Sequence, residues 1–247
     1  MSNKDNVLVK NIKKLGRHPT RWYRTRIWSR QGPDVVFLWI PKTAGTSLFT
    51  WLEAEMKMIR LNRKLKYQKS FQNRGAVTFG HYDYVGLMEE GIVSADFDAR
   101  AFKFCVVRDP WDRIASLYFY SLRNKVYDGE FIEFLSEIHR GIPPVGLYNV
   151  RGLSQSNPQV DWITDRDGRI IADELYRMEN LAEAEADLRG RFNLGGEGIG
   201  HANKTSRDRS KHELFHTHDE IIPMVKEVYA RDFEVLGYPV ELEASSS

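Results

Sequence analysis

Asp34-Val-Val-Phe-Leu-Trp-Ile-Pro-Lys-Thr-Ala-Gly-Thr-Ser47 is the stretch that decides the fold. Its first seven residues form a nearly unbroken apolar run that stops at Pro41, the pattern of a strand buried on both faces. A loop of small and hydroxyl-bearing residues comes next. Beyond the loop, apolar residues recur at Leu48, Leu52, Met56 and Ile59, which puts one apolar stripe on a helix over about Ser47–Arg60. A buried strand running straight into a helix is the opening unit of a parallel α/β sheet.

The rest of the chain repeats that grammar. Gly75–Gly80 and Ala101–Val107 read as two more short strands, the second stopped by Arg108-Asp-Pro110. Asp109 suits a helix N-cap and Pro110 the first helical position, after which Ile114, Leu117, Tyr118 and Leu122 keep helical spacing. Helices are expected over Glu130–His139 and Asn180–Arg189, with a fourth strand at Glu174–Met178. Gly141–Gly168 carries Pro143, Pro144 and Pro158 without periodicity and reads as a long irregular excursion. A last helix carries Ile221, Val225, Val228 and Tyr229, with Pro223 in its first turn. Strands alternating with helices predict a single α/β domain whose parallel sheet is covered on both faces. The expected boundaries are a basic arm at 1–33, one catalytic domain at 34–240 and a tail at 241–247.

Composition limits the class. At 42% apolar over 247 residues the chain can bury a core, which excludes wholesale disorder. No apolar run reaches the roughly 18 residues of a membrane span, and the N-terminus lacks the apolar core of a secretory signal. Cys105 is the single cysteine. It cannot form an intramolecular disulfide, and a reducing, cytoplasmic setting is expected. The net charge of +2 hides an asymmetry, because Met1–Pro33 holds nine Lys/Arg against Asp5 alone. A second basic stretch runs through Lys57, Arg60, Arg63, Lys64, Lys66, Lys69 and Arg74. Clustered positive charge draws anionic partners: nucleic acid, an anionic membrane surface, or an anionic nucleotide or glycan.

Two segments carry chemistry. Ile40-Pro-Lys-Thr-Ala-Gly-Thr-Ser47 lies between strand and helix, where backbone N–H groups and the helix dipole favour an anion. Lys42 adds a point charge; Thr43, Thr46 and Ser47 add hydroxyls, and Ala44 and Gly45 let the backbone approach. The lysine precedes the glycine, so this is not the Walker A order. The second segment, Val106–Tyr118, puts Arg108 at the C-terminal end of a strand, where open α/β sheets bind their ligands. Ser116 lies on the next helix about 10 Å along its axis, within an arginine's reach, so both can grip one phosphate. The plainer reading pairs Arg108 with Asp112 as an ordinary helix-start ion pair.

Together these segments resemble the sulfotransferase superfamily, and within it the carbohydrate, membrane-type (heparan/chondroitin-like) branch. The resemblance implies a single-domain, P-loop-kinase-like central parallel sheet with helices on both faces. It implies 3′-phosphoadenosine 5′-phosphosulfate (PAPS) as donor co-substrate, with no metal required. Lys42, Thr43, Ala44, Gly45, Thr46 and Ser47 would hold its 5′-phosphosulfate, and Arg108 and Ser116 its 3′-phosphate. Further echoes are Phe79-Gly-His-Tyr82, Gly200-His-Ala-Asn-Lys-Thr-Ser206 and Tyr229–Tyr238. The second of these implies donor contacts from Gly200 and Thr205. His81 stands where relatives carry a base, with phenylalanine replacing the first histidine of their His-Gly-His.

An acceptor hydroxyl is a poor nucleophile near neutral pH, so a base is required, and histidine is the side chain matched to that task. His81 as base predicts an acid limb in rate near about pH 6–7; Asp83 and Glu89 are the carboxylate alternatives. Lys42 and His81 are thus the expected catalytic pair, transferring a sulfuryl group to a hydroxyl of a carbohydrate acceptor. His201, His212, His216 and His218 lack the spacing of a zinc set, so no metal site is expected. The rival readings are a P-loop-type small-molecule kinase dependent on Mg²⁺ and a non-catalytic basic polyanion-binding module. Nucleic acid is not the expected partner, and the acceptor's identity lies in loops that the sequence does not decode.

Overall fold

The computed structural model describes residues 32–61, 68–142, 149–150, 153–199 and 213–242. Strand β1 (Val35–Leu38) is the centre of a five-stranded sheet with β2 (Ile59–Arg60), β3 (Ala76–Thr78), β4 (Phe102–Val107) and β7 (Glu174–Arg177). The order is β2-β3-β1-β4-β7 and every pairing is parallel. Between β4 and β7 in sequence, β5 (Asn149–Val150) and β6 (Leu153–Ser154) form a separate antiparallel hairpin. This is a single-domain α/β fold with helices on both faces.

The alternation within β1 sorts the core. Val35, Phe37 and Trp39 point to one face, where α1 (Gly45–Met56) packs Leu48, Trp51 and Leu52, and α6 (Leu181–Phe192) packs Leu188. Val36, Leu38 and Ile40 point to the other. That side holds α2 (Tyr84–Glu89), α3 (Ala95–Arg100), α4 (Pro110–Arg123), α5 (Phe131–His139), α7 (Ile221–Val228) and α8 (Ala230–Leu236). The helix leaving β1 therefore covers one face and the helix leaving β4, its hydrogen-bonded neighbour, covers the other. Such a divergence opens a crevice at the C-terminal strand ends.

Several boundaries differ from expectation for visible reasons. The helix expected to Arg60 ends at Met56, where Lys57 takes the left-handed conformation (φ 58°) and its N–H bonds the Leu52 carbonyl. Ile59 and Arg60 then join the sheet edge as β2. Helices α2 and α3 have only six residues each, too short for helical periodicity to show in the sequence. Ser94 caps α3 by accepting from the Phe97 N–H at 3.2 Å. Asp109 caps α4, as expected, by accepting from the Asp112 N–H at 3.1 Å. The excursion 141–168 contains the β5–β6 hairpin and a 3₁₀ turn, Gln159–Trp162.

Of the expected basic arm only residues 32–33, and of the tail only 241–242, fall within the described residues. Among the described residues no helix is long and apolar enough to cross a membrane.

Candidate functional site

The loop leaving β1 turns sharply before α1 begins. Lys42 (φ 71°) and Ala44 (φ 59°) both adopt the left-handed conformation, which costs an L-residue about 1–2 kcal/mol. Such strain persists only where the surroundings enforce it, and it concentrates at ligand sites. One enforcing contact is Thr43, fully buried, whose hydroxyl donates to the Ile40 carbonyl at 3.0 Å. Another is Trp39: a Cβ on Gly45 would overlap its indole, so only glycine fits. Helix α1 starts at Gly45 with no side chain capping its N-terminus, leaving the first N–H groups of a 12-residue helix at the loop.

Arg113 of α4 braces this loop from behind. Its guanidinium is buried, with Nε donating to the Pro41 carbonyl at 3.1 Å and a terminal N–H to the Gln155 carbonyl at 2.9 Å. Arg108 emerges from β4 almost wholly buried, one terminal nitrogen 3.5 Å from the Lys42 carbonyl oxygen and the other 3.4 Å from the Asp112 carboxylate. The helix-start ion pair thus exists, and Arg108 also faces the crevice.

The crevice is a cavity of about 610 Å³. Lys42, Thr43, Ala44, Gly45, Thr46, Ser47, Arg108, Ser116 and His81 all line it. The sequence-derived donor and base residues within the described chain therefore converge on one space. Four cationic side chains border it (Lys42, Arg60, Arg108 and Arg123), and no carboxylate does among the described residues. Sequence reasoning did not assign Trp39, Arg60, Tyr120, Arg123, Gln155 or Met178 to this site. For two of them a signal existed, since Ser116, Tyr120 and Arg123 fall at i, i+4 and i+7 on one helix face. Gly200 and Thr205 lie outside the described residues.

Burial and mutual repulsion tune the titrating groups. Lys42 is brought down to about 8, first by burial and then by Arg123, Arg108 and Arg113. Its ammonium stands 4.1 Å from the centre of the Tyr120 ring, a cation–π contact. His81 Nδ1 lies 2.8 Å from the Trp39 carbonyl oxygen. A carbonyl can only accept, so Nδ1 carries the proton and Nε2 is the basic nitrogen. The ring sits edge-on to Trp39, 5.3 Å between centroids, and to Trp162 at 6.3 Å. Burial brings His81 down to about 4, aided by Arg60, Lys42 and Arg113 and opposed by the Trp39 hydrogen bond. That is below the 6–7 expected from histidine's ordinary range, so His81 is neutral at pH 7.

The alternative bases are otherwise engaged. Arg166 binds Asp83 at 2.7 Å and Glu89 at 2.9 Å, and neither carboxylate borders the cavity. Among the described residues no group of three or more His, Cys, Asp or Glu side chains assembles to hold a metal ion.

The fold and site define an α/β protein with a cation-bordered cavity at the strand ends. No family model matches this chain, and no curated protein matches it. Among solved structures it is similar to a sulfotransferase from Alicyclobacillus acidocaldarius, at 16% identity. The match covers 84% of this chain and 96% of that one, with a TM-score of 0.49.

Proposed function

We propose that this chain is a sulfotransferase that moves a sulfuryl group from PAPS to a hydroxyl of a carbohydrate acceptor. The observation that carries the reading is the convergence of the Lys42–Ser47 loop, Arg108, Ser116 and His81 on one cation-lined cavity. A donor with a 3′-phosphate and a 5′-phosphosulfate presents two anionic ends, and the cavity is lined by both the Lys42–Ser47 loop and the Arg108–Ser116 pair. In this reading the loop N–H groups and Lys42 receive the phosphosulfate, while Arg108 and Ser116 receive the 3′-phosphate.

Transfer is in line. The acceptor oxygen bonds to sulfur as the bond from sulfur to the bridging phosphate oxygen breaks, and that electron pair leaves with 3′,5′-ADP. His81 Nε2 takes the hydroxyl proton. Lys42 and the loop N–H groups face the charge that grows on the departing phosphate, and preorganised groups of this kind are commonly the largest contribution to rate. Phosphoryl transfer by a kinase uses Mg²⁺ held in part by a carboxylate. The described cavity lining has none, which favours sulfuryl transfer over the kinase reading.

Arg60, held 4.2 Å over the Trp39 ring on the His81 side, suits an acceptor that itself bears acidic groups. The test is a thermal-shift comparison of 3′,5′-ADP, ADP and ATP with and without Mg²⁺. Selective stabilisation by 3′,5′-ADP without Mg²⁺ is expected. A preference for ATP with Mg²⁺ would transfer the site to the kinase class.

A further inference from the structure

We infer that Gln159 is a positioning residue that fixes Arg108 for the donor's 3′-phosphate, and that Asp232 holds Gln159 in place. The inference rests on the donor reading above and adds to it two residues from outside the cavity lining. It begins with a gap in the sheet. β4 pairs with β1 only as far as Leu38↔Cys105 and with β7 only as far as Arg177↔Val107. Arg108 is the next residue, and it is buried. Its backbone N–H and carbonyl would lack ladder partners, and a buried polar group left unpaired destabilises the fold.

The Gln159 side chain meets both groups. Its Oε1 accepts the Arg108 N–H at 2.8 Å, and its Nε2 donates to the Arg108 carbonyl at 2.7 Å. One amide thus replaces a neighbouring strand for a single residue, and that residue carries the guanidinium in the cavity. Asp232 of α8 then fixes the amide. Its Oδ2 accepts the second Nε2 proton at 3.2 Å and the Gln159 backbone N–H at 2.9 Å, while Oδ1 accepts the Val160 N–H at 3.0 Å. A flipped amide would set its oxygen against both the carboxylate and the Arg108 carbonyl, so the orientation is determined. Gln159 and Asp232 are both fully buried. This chain of contacts also gives a role to the C-terminal segment Tyr229–Tyr238, which the anion grips themselves leave unused.

The consequence is specific. Gln159 sets where Arg108 points, so its loss falls chiefly on recognition of the 3′-phosphate and touches the 5′ grip only through the 3.5 Å contact of Arg108 with the Lys42 carbonyl. The readout is the ratio of Kd for ADP to Kd for 3′,5′-ADP, taken by calorimetry. Wild type is expected to prefer 3′,5′-ADP. Gln159→Met should cut that preference about 10-fold or more, the scale of a misplaced charged hydrogen bond, with ADP affinity within about twofold. Combining it with Arg108→Ala should lower the preference no further than Arg108→Ala alone.

A glutamine with a merely structural role would weaken both nucleotides alike and leave the ratio unchanged. Should Gln159→Met fail to fold, Gln159→Asn keeps the amide but withdraws it by one methylene, and the same loss of ratio is expected. A folded variant of either kind with the wild-type ratio overturns the inference alone. A wild type with no preference between the two nucleotides defeats the donor reading, and the inference with it.

Discussion

At the scale of single residues, Lys42 carries the most weight in the proposed chemistry. Its backbone is held left-handed, its ammonium rests on Tyr120, and Arg108 and Arg123 crowd it. A charge kept there against repulsion is most useful where negative charge appears only during reaction. Lys42→Ala is therefore expected to lower kcat by about 10²-fold or more, in the range of other lost charge-stabilising groups, while donor affinity changes several-fold at most. Steady-state kinetics decide it: unchanged kcat with a raised donor KM would make Lys42 a binding group only. Lys42, Arg108, Ser116 and His81 were legible in the sequence because each sits at a strand end or in the following helix, where the fold class itself predicts ligands. Gln159 and Gln155 were not. Gln155 reaches the cavity and Gln159 reaches Arg108 from the irregular excursion, and only tertiary packing brings them within hydrogen-bond distance of partners 42 to 73 positions away.

At the scale of the element, the turn from β1 into α1 is built around one missing side chain. Alanine normally stabilises a helical position over glycine by about 0.5–1 kcal/mol. At Gly45 the new Cβ would overlap the Trp39 indole, whose ring is held by stacking on Phe37 and Phe49 at 5.6 Å each and by Arg60 at 4.2 Å. Overpacking of this kind costs about 1–3 kcal/mol, so the clash wins over the propensity gain. Gly45→Ala is expected to lower Tm by about 2–8 °C in a chain this long and to weaken 3′,5′-ADP binding through the displaced loop. A melt at or above wild type would show that the indole yields without cost. The element's existence was readable from its apolar stripe, whereas its end was not. Lys57 in the left-handed conformation and the two-residue pairing of β2 with β3 override a periodicity that continues formally through Ile59.

At the scale of the whole molecule, the two helical layers diverge at β1 and β4, and the cavity between them is bordered by positively charged side chains. That environment acts on Lys42 and His81 in the same direction. Burial first, and neighbouring cations second, bring Lys42 to about 8 and His81 to about 4. The proposed reaction needs Lys42 charged and His81 neutral. As pH falls through about 4, His81 gains a proton and the base is lost; as pH rises through about 8, Lys42 loses its proton and the electrostatic stabilisation is lost. The pH profile of kcat/KM for the donor, which reports the free enzyme, is thus expected to be a bell with limbs near those two values.

A bound polyanion favours the protonated form of both groups, so both limbs of kcat should lie at higher pH than those of kcat/KM. His81→Ala should remove the acid limb from the residual rate. Lys42→Arg, whose charge does not titrate in this range, should remove the alkaline one. Melting curves across the same pH range separate titration from unfolding. Limbs near histidine's ordinary 6.5 and lysine's ordinary 10.4 would mean that burial and the neighbouring cations do not tune these groups, and the electrostatic argument for this site would fall.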